Sequence, residues 1–283
     1  MRRFKNAVLI IDAQIDFCAP NRGALYVDGA EKDNTRIANW MRNNLEELDY
    51  VSFTLDSHHI NDISHPSMWM DKDGNMPKPF TPISYADIQN GIWTPRAGFD
   101  KKRIMDYVQT LEQQGEFGHF IWPYHCIIGT EGAALDPQVS EVIAEWSRKT
   151  GRFFKAHTKG TNPYTEHFGA FRAQVPDVND PDSALSMPFI QVLEKYENVF
   201  FMGQAKSHCV ATTLKQALNE APNLAQKFVI IEDAMSNVAG GPQGPNGPSF
   251  GELAQPIYDE AKKRGIRFAK TTDIVLTAAG AMV

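Results

Sequence analysis

Cys209 follows the apolar run Val199-Phe200-Phe201-Met202 and the chain breaker Gly203. After it, Val210, Leu214, Ala217 and Leu218 fall on one helical face. Ser207 is a candidate N-cap, which sets the thiol in the first helical turn. There the helix dipole and unpaired backbone N–H groups favour a thiolate and can receive an oxyanion. The same residue also reads as a small buried hydrophobe, as lone cysteines often do. Asp12 ends the apolar run Ala7-Val8-Leu9-Ile10-Ile11, and Asp56 ends Tyr50-Val51-Ser52-Phe53-Thr54-Leu55. Lys159 lies just past the strand-like Arg152-Phe153-Phe154-Lys155-Ala156-His157. If these strands are parallel, Asp12, Asp56, Lys159 and Cys209 share one edge of the sheet, where ligands bind in open α/β folds. An acid, an ammonium and a thiol together can carry a proton from sulfur to a departing amine. Singly, Lys159 reads as a solvated loop charge and Asp12 as a turn former.

Asp56, His58 and His125 form a second constellation. An Asp-x-His pair with one distant His suits a divalent metal held by three protein ligands, with positions left for water or substrate. Spacing alone is weak support, because loop histidines commonly face solvent and His59, His65, His157 and His208 offer further candidates.

The elements that must position these groups alternate. Helical periodicity is read from about Ala30 to Leu48, with Ile37, Trp40, Met41 and Leu45 on one side, and again through Val139, Val142, Ile143 and Trp146. Met187 to Tyr196 is a helix that Ser186 caps with Pro188 in its first turn. Lys227-Phe228-Val229-Ile230-Ile231-Glu232-Asp233 is a fifth strand. Leu253 to Lys263 is a helix, and Ile266-Arg267-Phe268-Ala269 begins a sixth strand. Strand–helix alternation predicts an α/β three-layer sandwich around a mainly parallel sheet of about six strands. One domain over residues 1–283 is expected. It carries an insertion at about 66–118, mostly loop with a helix near Asp100 to Gln114, and a Gly/Pro-rich loop at 239–251.

Composition narrows the class. Over 283 residues the net charge is −6 with both signs interspersed, so neither a nucleic acid nor a membrane surface is expected as partner. The basic start, Met1-Arg2-Arg3-Phe4-Lys5-Asn6, precedes only a short strand-like run and not a signal-peptide core. Cys18, Cys126 and Cys209 are too few and scattered for a disulfide framework, which fits a reducing, cytoplasmic setting. No Gly-x-Gly-x-x-Gly follows a strand, which argues against a dinucleotide binder.

With these residues in place, the chain resembles the nicotinamidase and isochorismatase-like cysteine hydrolases. The matching motifs are Ile11-Asp12-Ala13-Gln14-Ile15-Asp16-Phe17-Cys18, Thr54-Leu55-Asp56-Ser57-His58, Trp122-Pro123-Tyr124-His125-Cys126, Lys159-Gly160-Thr161 and Gly203-Gln204-Ala205-Lys206-Ser207-His208-Cys209-Val210. Trp-Pro-x-His-Cys together with Asp-x-His looks specifically like the metal-binding nicotinamidases. The resemblance implies Cys209 as nucleophile, Asp12 as general base and acid, and Lys159 as their cationic partner. It implies that Asp56, His58 and His125 hold one divalent ion of zinc, iron or manganese type, with Phe17 and Trp122 lining a ring pocket. It also implies an oxyanion hole at the N–H groups of Ala205 and Cys209, a cis peptide at Gln204–Ala205, a small amide substrate, and a homo-oligomer. The implied activity is hydrolysis of nicotinamide to nicotinate and ammonia through a thioester. The alternatives are a relative acting on another amide, carbamoyl or ureido compound or on isochorismate, and a non-catalytic binding protein on the same fold. The chain departs from the pattern at Lys206-Ser207, where Thr-Asp is usual. His65 is the nearest candidate for a further metal ligand.

Overall fold

The computed structural model describes residues 5–114, 118–277 and 280–282, so the basic residues 1–4 and the end of the insertion at 115–117 lie outside it. Six strands form one sheet: β1 (Asn6–Ile11), β2 (Tyr50–Asp56), β3 (Lys155–Lys159), β4 (Asn198–Gly203), β5 (Phe228–Ile231) and β6 (Arg267–Ala269). Their spatial order is β3-β2-β1-β4-β5-β6, and every pairing is parallel. The chain builds outward from β1 in one direction, then returns to the other side of β1 as β4. A crevice therefore opens beyond the carboxyl ends of β1 and β4, the place where a parallel sheet accepts ligands.

Alternation along the strands feeds two cores. Ala7, Leu9, Ile11, Val199, Phe201, Phe228 and Ile230 pack on one face, under α4 (Met187–Leu193), α5 (Ala211–Glu220) and α6 (Phe250–Lys263). Val8, Ile10, Phe200, Met202, Val229 and Ile231 pack on the other, under α1 (Ala30–Asn43) and α3 (Pro137–Thr150). Strands buried on both faces must be apolar throughout, which is why their sequences read as continuous runs. β3 is the exception. It lies at the sheet edge, and pairing with β2 from Ser52↔Lys155 to Asp56↔Lys159 defines it more than apolar content does. It is displaced from the expected 152–157, leaving Phe153 89% exposed and making Lys159 the last residue of the strand, not a loop residue.

Gly203 joins β4 to the site loop where two backbones nearly touch. Its φ is +120°, and a Cβ built there would lie 2.1 Å from the Ile11 carbonyl oxygen of β1. Any side chain would have to part the two central strands. Gly203→Ala is expected to cost at least about 3 kcal/mol or to prevent folding. Urea unfolding checks this, and a variant as stable as wild type would refute it.

The insertion differs from the expected loop. α2 (Lys101–Gln113), a single turn at Tyr85–Gln89 and a two-residue ribbon pairing Trp69–Met70 with Thr94–Pro95 enclose their own core. Ile63, Met68, Trp69, Ile83, Ile88, Ile104, Tyr107, Val108, Leu111 and Ile121 fill it. The helix expected near Asp100 to Gln114 is there as α2, with Ile104, Tyr107, Val108 and Leu111 on its buried face; the other apolar residues are scattered among prolines and turns, so no period reveals them. The Gly/Pro-rich loop contains a 3-10 turn at Gly244–Asn246, and α6 begins earlier than expected, at Phe250, under a Ser249–Glu252 capping box. α4 starts without the side-chain cap expected from Ser186.

Candidate active site

Asp12, just past β1, has a positive φ of 41°. Thr54 of β2 holds it from both sides: the Asp12 N–H donates to Thr54 Oγ1 at 3.0 Å, and the Thr54 hydroxyl donates to Asp12 Oδ1 at 2.6 Å. The other oxygen, Oδ2, is left for Lys159, whose Nζ stands 2.9 Å away. The same ammonium reaches Asp56 Oδ1 at 3.1 Å and the His167 carbonyl at 2.9 Å. Lys159 Nζ donates to Cys209 Sγ at 3.7 Å. Residues from three distant loops thus meet in a site from which water is almost excluded.

Cys209 sits in a first turn, but not by the expected route. Ala205 is the N-cap, and Lys206–Val210 form a wide π-type turn leading into α5. The Val210 N–H reaches back to the Ala205 carbonyl at 3.2 Å. Ser207 instead hydrogen-bonds His208 Nδ1 at 2.9 Å and accepts from the Val238 N–H at 3.1 Å. The Gln204–Ala205 peptide is cis. The Ala205 N–H has no acceptor among the described residues, as an oxyanion-hole donor requires.

Charge states correct a second expectation. Burial pushes the Cys209 thiol well up; Lys159 opposes this, while Asp12 and Asp56 add to it. Burial also raises Asp12, against the pull of Lys159. Burial thus favours the thiol over the free thiolate that the helix dipole and lysine charge suggest. Desolvation outweighs both of those effects in so dry a pocket. Burial alone would lower the Lys159 pKa, but the two carboxylates outweigh it and hold the ammonium charged.

Asp56, His58 and His125 place ligand atoms within 4.8 Å of one another. His125 Nδ1 faces the Pro123 carbonyl at 2.8 Å, so it carries the hydrogen and Nε2 offers a lone pair. His58 Nδ1 faces Asp62 Oδ2 at 3.1 Å, and its Nε2 stands 3.0 Å from Asp56 Oδ2. A nitrogen lone pair and a carboxylate oxygen so close repel unless a proton or cation lies between them. Burial would lower the His58 pKa, but Asp56 and Asp62 outweigh it and raise it well above the ordinary imidazole value. The donor set is thus one that a divalent ion fits. His65 stands next to this group: its Nδ1 faces the His59 carbonyl at 3.0 Å and its Nε2 lies 3.3 Å from His125 Nδ1. Asp56 links the two groups, one oxygen toward Lys159 and the other toward the histidines.

A narrow pocket is lined by Phe17, Leu25, Trp122, Phe168, Ala205 and His208 together with Asp56, His125 and Cys209. Phe17 and Trp122 were both expected there. Leu25, Phe168 and His208 were not, and only the position of His208 beside Cys209 could have signalled its place. Supporting residues also went unread. Gln14 Nε2 donates to the Asp56 carbonyl at 2.7 Å, and its Oε1 accepts from the Asp56 N–H at 2.7 Å. Phe120, just past the insertion, and Phe250, in the Gly/Pro-rich segment, join Phe17, Trp122 and Ala205 in one apolar cluster.

No family model matches the sequence. No curated protein matches it either. Solved structures do. A nicotinamidase pyrazinamidase of Acinetobacter baumanii matches at TM-score 0.60 and 20% identity, covering 96% of this chain and 99% of that one. The yeast nicotinamidase bound to the inhibitor nicotinaldehyde matches at TM-score 0.61 and 20% identity, covering 94% and 99%. The pyrazinamidase of Pyrococcus horikoshii in complex with zinc matches at TM-score 0.52 and 18% identity, covering 94% and 99%. The chain thus has the α/β fold of the nicotinamidase and pyrazinamidase structures, the fold its motifs led one to expect.

Proposed function

We propose that this chain is a cysteine-dependent amidohydrolase and that its substrate is nicotinamide, which it converts with water to nicotinate and ammonia. The observation that carries the reading is that one buried ammonium, Lys159, reaches Asp12 at 2.9 Å, Asp56 at 3.1 Å and the Cys209 sulfur at 3.7 Å beside a pocket also lined by Phe17, Trp122 and His125. Phe17 and Trp122 both line the pocket, and aromatic faces suit a flat ring amide. Asp12 takes the Cys209 proton as sulfur bonds to the amide carbon, and the Ala205 and Cys209 N–H groups receive the developing oxyanion. Asp12 returns the proton to the leaving nitrogen, the C–N bond breaks, and ammonia departs from a thioester. Asp12 then deprotonates a water that attacks the thioester; nicotinate leaves and the proton returns to sulfur. Lys159 holds the Asp12 carboxylate in place and balances its charge while the proton is away.

Asp56, His58 and His125 would hold a divalent ion of zinc, iron or manganese type. When bound, it would supply an electropositive contact for the ring nitrogen. The metal-bound pyrazinamidase of the same fold is consistent with that reading. A wider second reading is a related amide, because Phe120 and Phe250 pack in one cluster with the pocket residues Phe17, Trp122 and Ala205 and so bear on the shape of its wall. Three free cysteines agree with a cytoplasmic setting, and among the described residues no helix is long and apolar enough to cross a membrane. A single domain assembling as a homo-oligomer completes the proposal.

Ammonia release across a panel of amides, before and after chelation, tests the whole. Nicotinamide is expected to lead the panel. Chelation is expected to raise KM by roughly tenfold or more, as loss of a contact worth about 1.4 kcal/mol or more requires. No ammonia from any amide would overturn the hydrolase reading, and indifference to chelator would overturn the metal.

A further inference from the structure

Asp62 takes no part in the chemistry above, yet it is only 1% exposed and both its carboxylate oxygens are engaged. Oδ2 lies 3.1 Å from His58 Nδ1. Oδ1 accepts from the Ser64 N–H at 3.0 Å and from the Ser64 hydroxyl at 2.8 Å. An ionised carboxylate only accepts, so the His58 nitrogen facing it carries a hydrogen. That leaves Nε2, 3.0 Å from Asp56 Oδ2, as the nitrogen whose lone pair a cation can take.

We propose that Asp62 is a positioning residue that fixes the His58 tautomer and so sets the affinity of the Asp56–His58–His125 group for a divalent ion. This rests on the metal reading given above. The two Ser64 donors give the inference a distinctive consequence. An Asp62→Asn side chain has one oxygen, and the Ser64 N–H, which can only donate, requires an acceptor that the amide NH2 cannot be. The oxygen therefore goes to Ser64 and the NH2 turns toward His58 Nδ1. His58 must then accept at Nδ1 and carry its hydrogen on Nε2, where the ion would bind. A merely space-filling Asp62 would make the near-isosteric Asn the milder change. A tautomer-setting Asp62 makes Asn at least as damaging as Ala, whose methyl leaves His58 free to take either form.

The test titrates metal-free wild type, Asp62→Asn and Asp62→Ala with Zn2+ against a chromophoric chelator, with thermal unfolding of the metal-free proteins alongside. Wild type is expected to take up Zn2+. Asp62→Asn is expected to bind it roughly 10- to 100-fold more weakly, the size of effect seen when such supporting partners are lost. Asp62→Ala is expected to lose no more than Asn does. Wild-type affinity in Asp62→Asn, or a smaller loss in Asn than in Ala, overturns the role of Asp62 and leaves the metal reading standing. A wild-type protein that takes up no Zn2+ overturns both. If Asp62→Asn does not fold, Ser64→Ala decides. It removes one donor from Asp62 Oδ1, so a loss of roughly 3- to 10-fold supports the role and unchanged affinity overturns it.

Discussion

Cys209→Ala is expected to reduce ammonia release from nicotinamide by about 10⁴-fold or more while leaving Zn2+ uptake as it was. The size follows from the division of labour in the pocket. The sulfur is the only nucleophile beside Asp12 and Lys159, and removing the central member of such a unit removes nearly all that the unit does. The sparing of metal follows from geometry, because the ligand atoms belong to Asp56, His58 and His125 and not to sulfur. Steady-state assays with metal analysis on the same preparation check both halves. Substantial residual turnover would overturn covalent catalysis through Cys209. The resting thiol adds a second reading on wild type. With burial holding the proton on sulfur, alkylation at neutral pH should be slower than for an activated cysteine thiolate. The proton leaves sulfur as the attack proceeds, with Asp12 beside it to receive it.

Where a side chain is placed by strand order, its position was legible in advance. Asp12, Asp56 and Cys209 each close or follow an apolar run that reads as a buried parallel strand, and a parallel sheet can only gather such ends at one edge. Lys159 was assigned to the right edge although its strand was misplaced, because edge strands carry little apolar signal. What could not be read depends on partners distant in sequence. Thr54 is an ordinary strand residue until the Asp12 carboxylate is set against it. Asp62 is one acid among many until His58 turns toward it. The thiol state also escaped prediction, because local sequence shows the helix dipole and the lysine but not how completely the pocket excludes water. Of the insertion's own core only the α2 face was legible; its other apolar residues meet it across turns and belong to no long helix or strand.

Lys159→Met should cost about 3–5 kcal/mol of stability near neutral pH as well as most activity. The ammonium is 3% exposed and stands 2.9 Å from Asp12 and 3.1 Å from Asp56. Methionine fills similar space but leaves two buried carboxylates uncompensated, and breaking a buried pair from one side is what makes such losses large. The pH dependence distinguishes this cause from poor packing. Burial would raise the Asp56 pKa, but His58 and Lys159 outweigh it and hold the carboxyl well below its ordinary value. Its contribution is therefore present above the unfolded value and lost as pH falls through the folded one. Asp12 has the opposite sign: its folded pKa is already raised, so its ionised form is penalised as pH rises. Without Lys159 both carboxyls shift upward, and acid relieves the variant before it harms wild type. The stability gap should accordingly be widest near about pH 7 and narrow toward about pH 5. Urea unfolding at both values measures it. A gap that is equal at the two, or below about 1 kcal/mol at neutral pH, would mean that the lysine does not hold the two acids together and that the charge arrangement of the site has been misread.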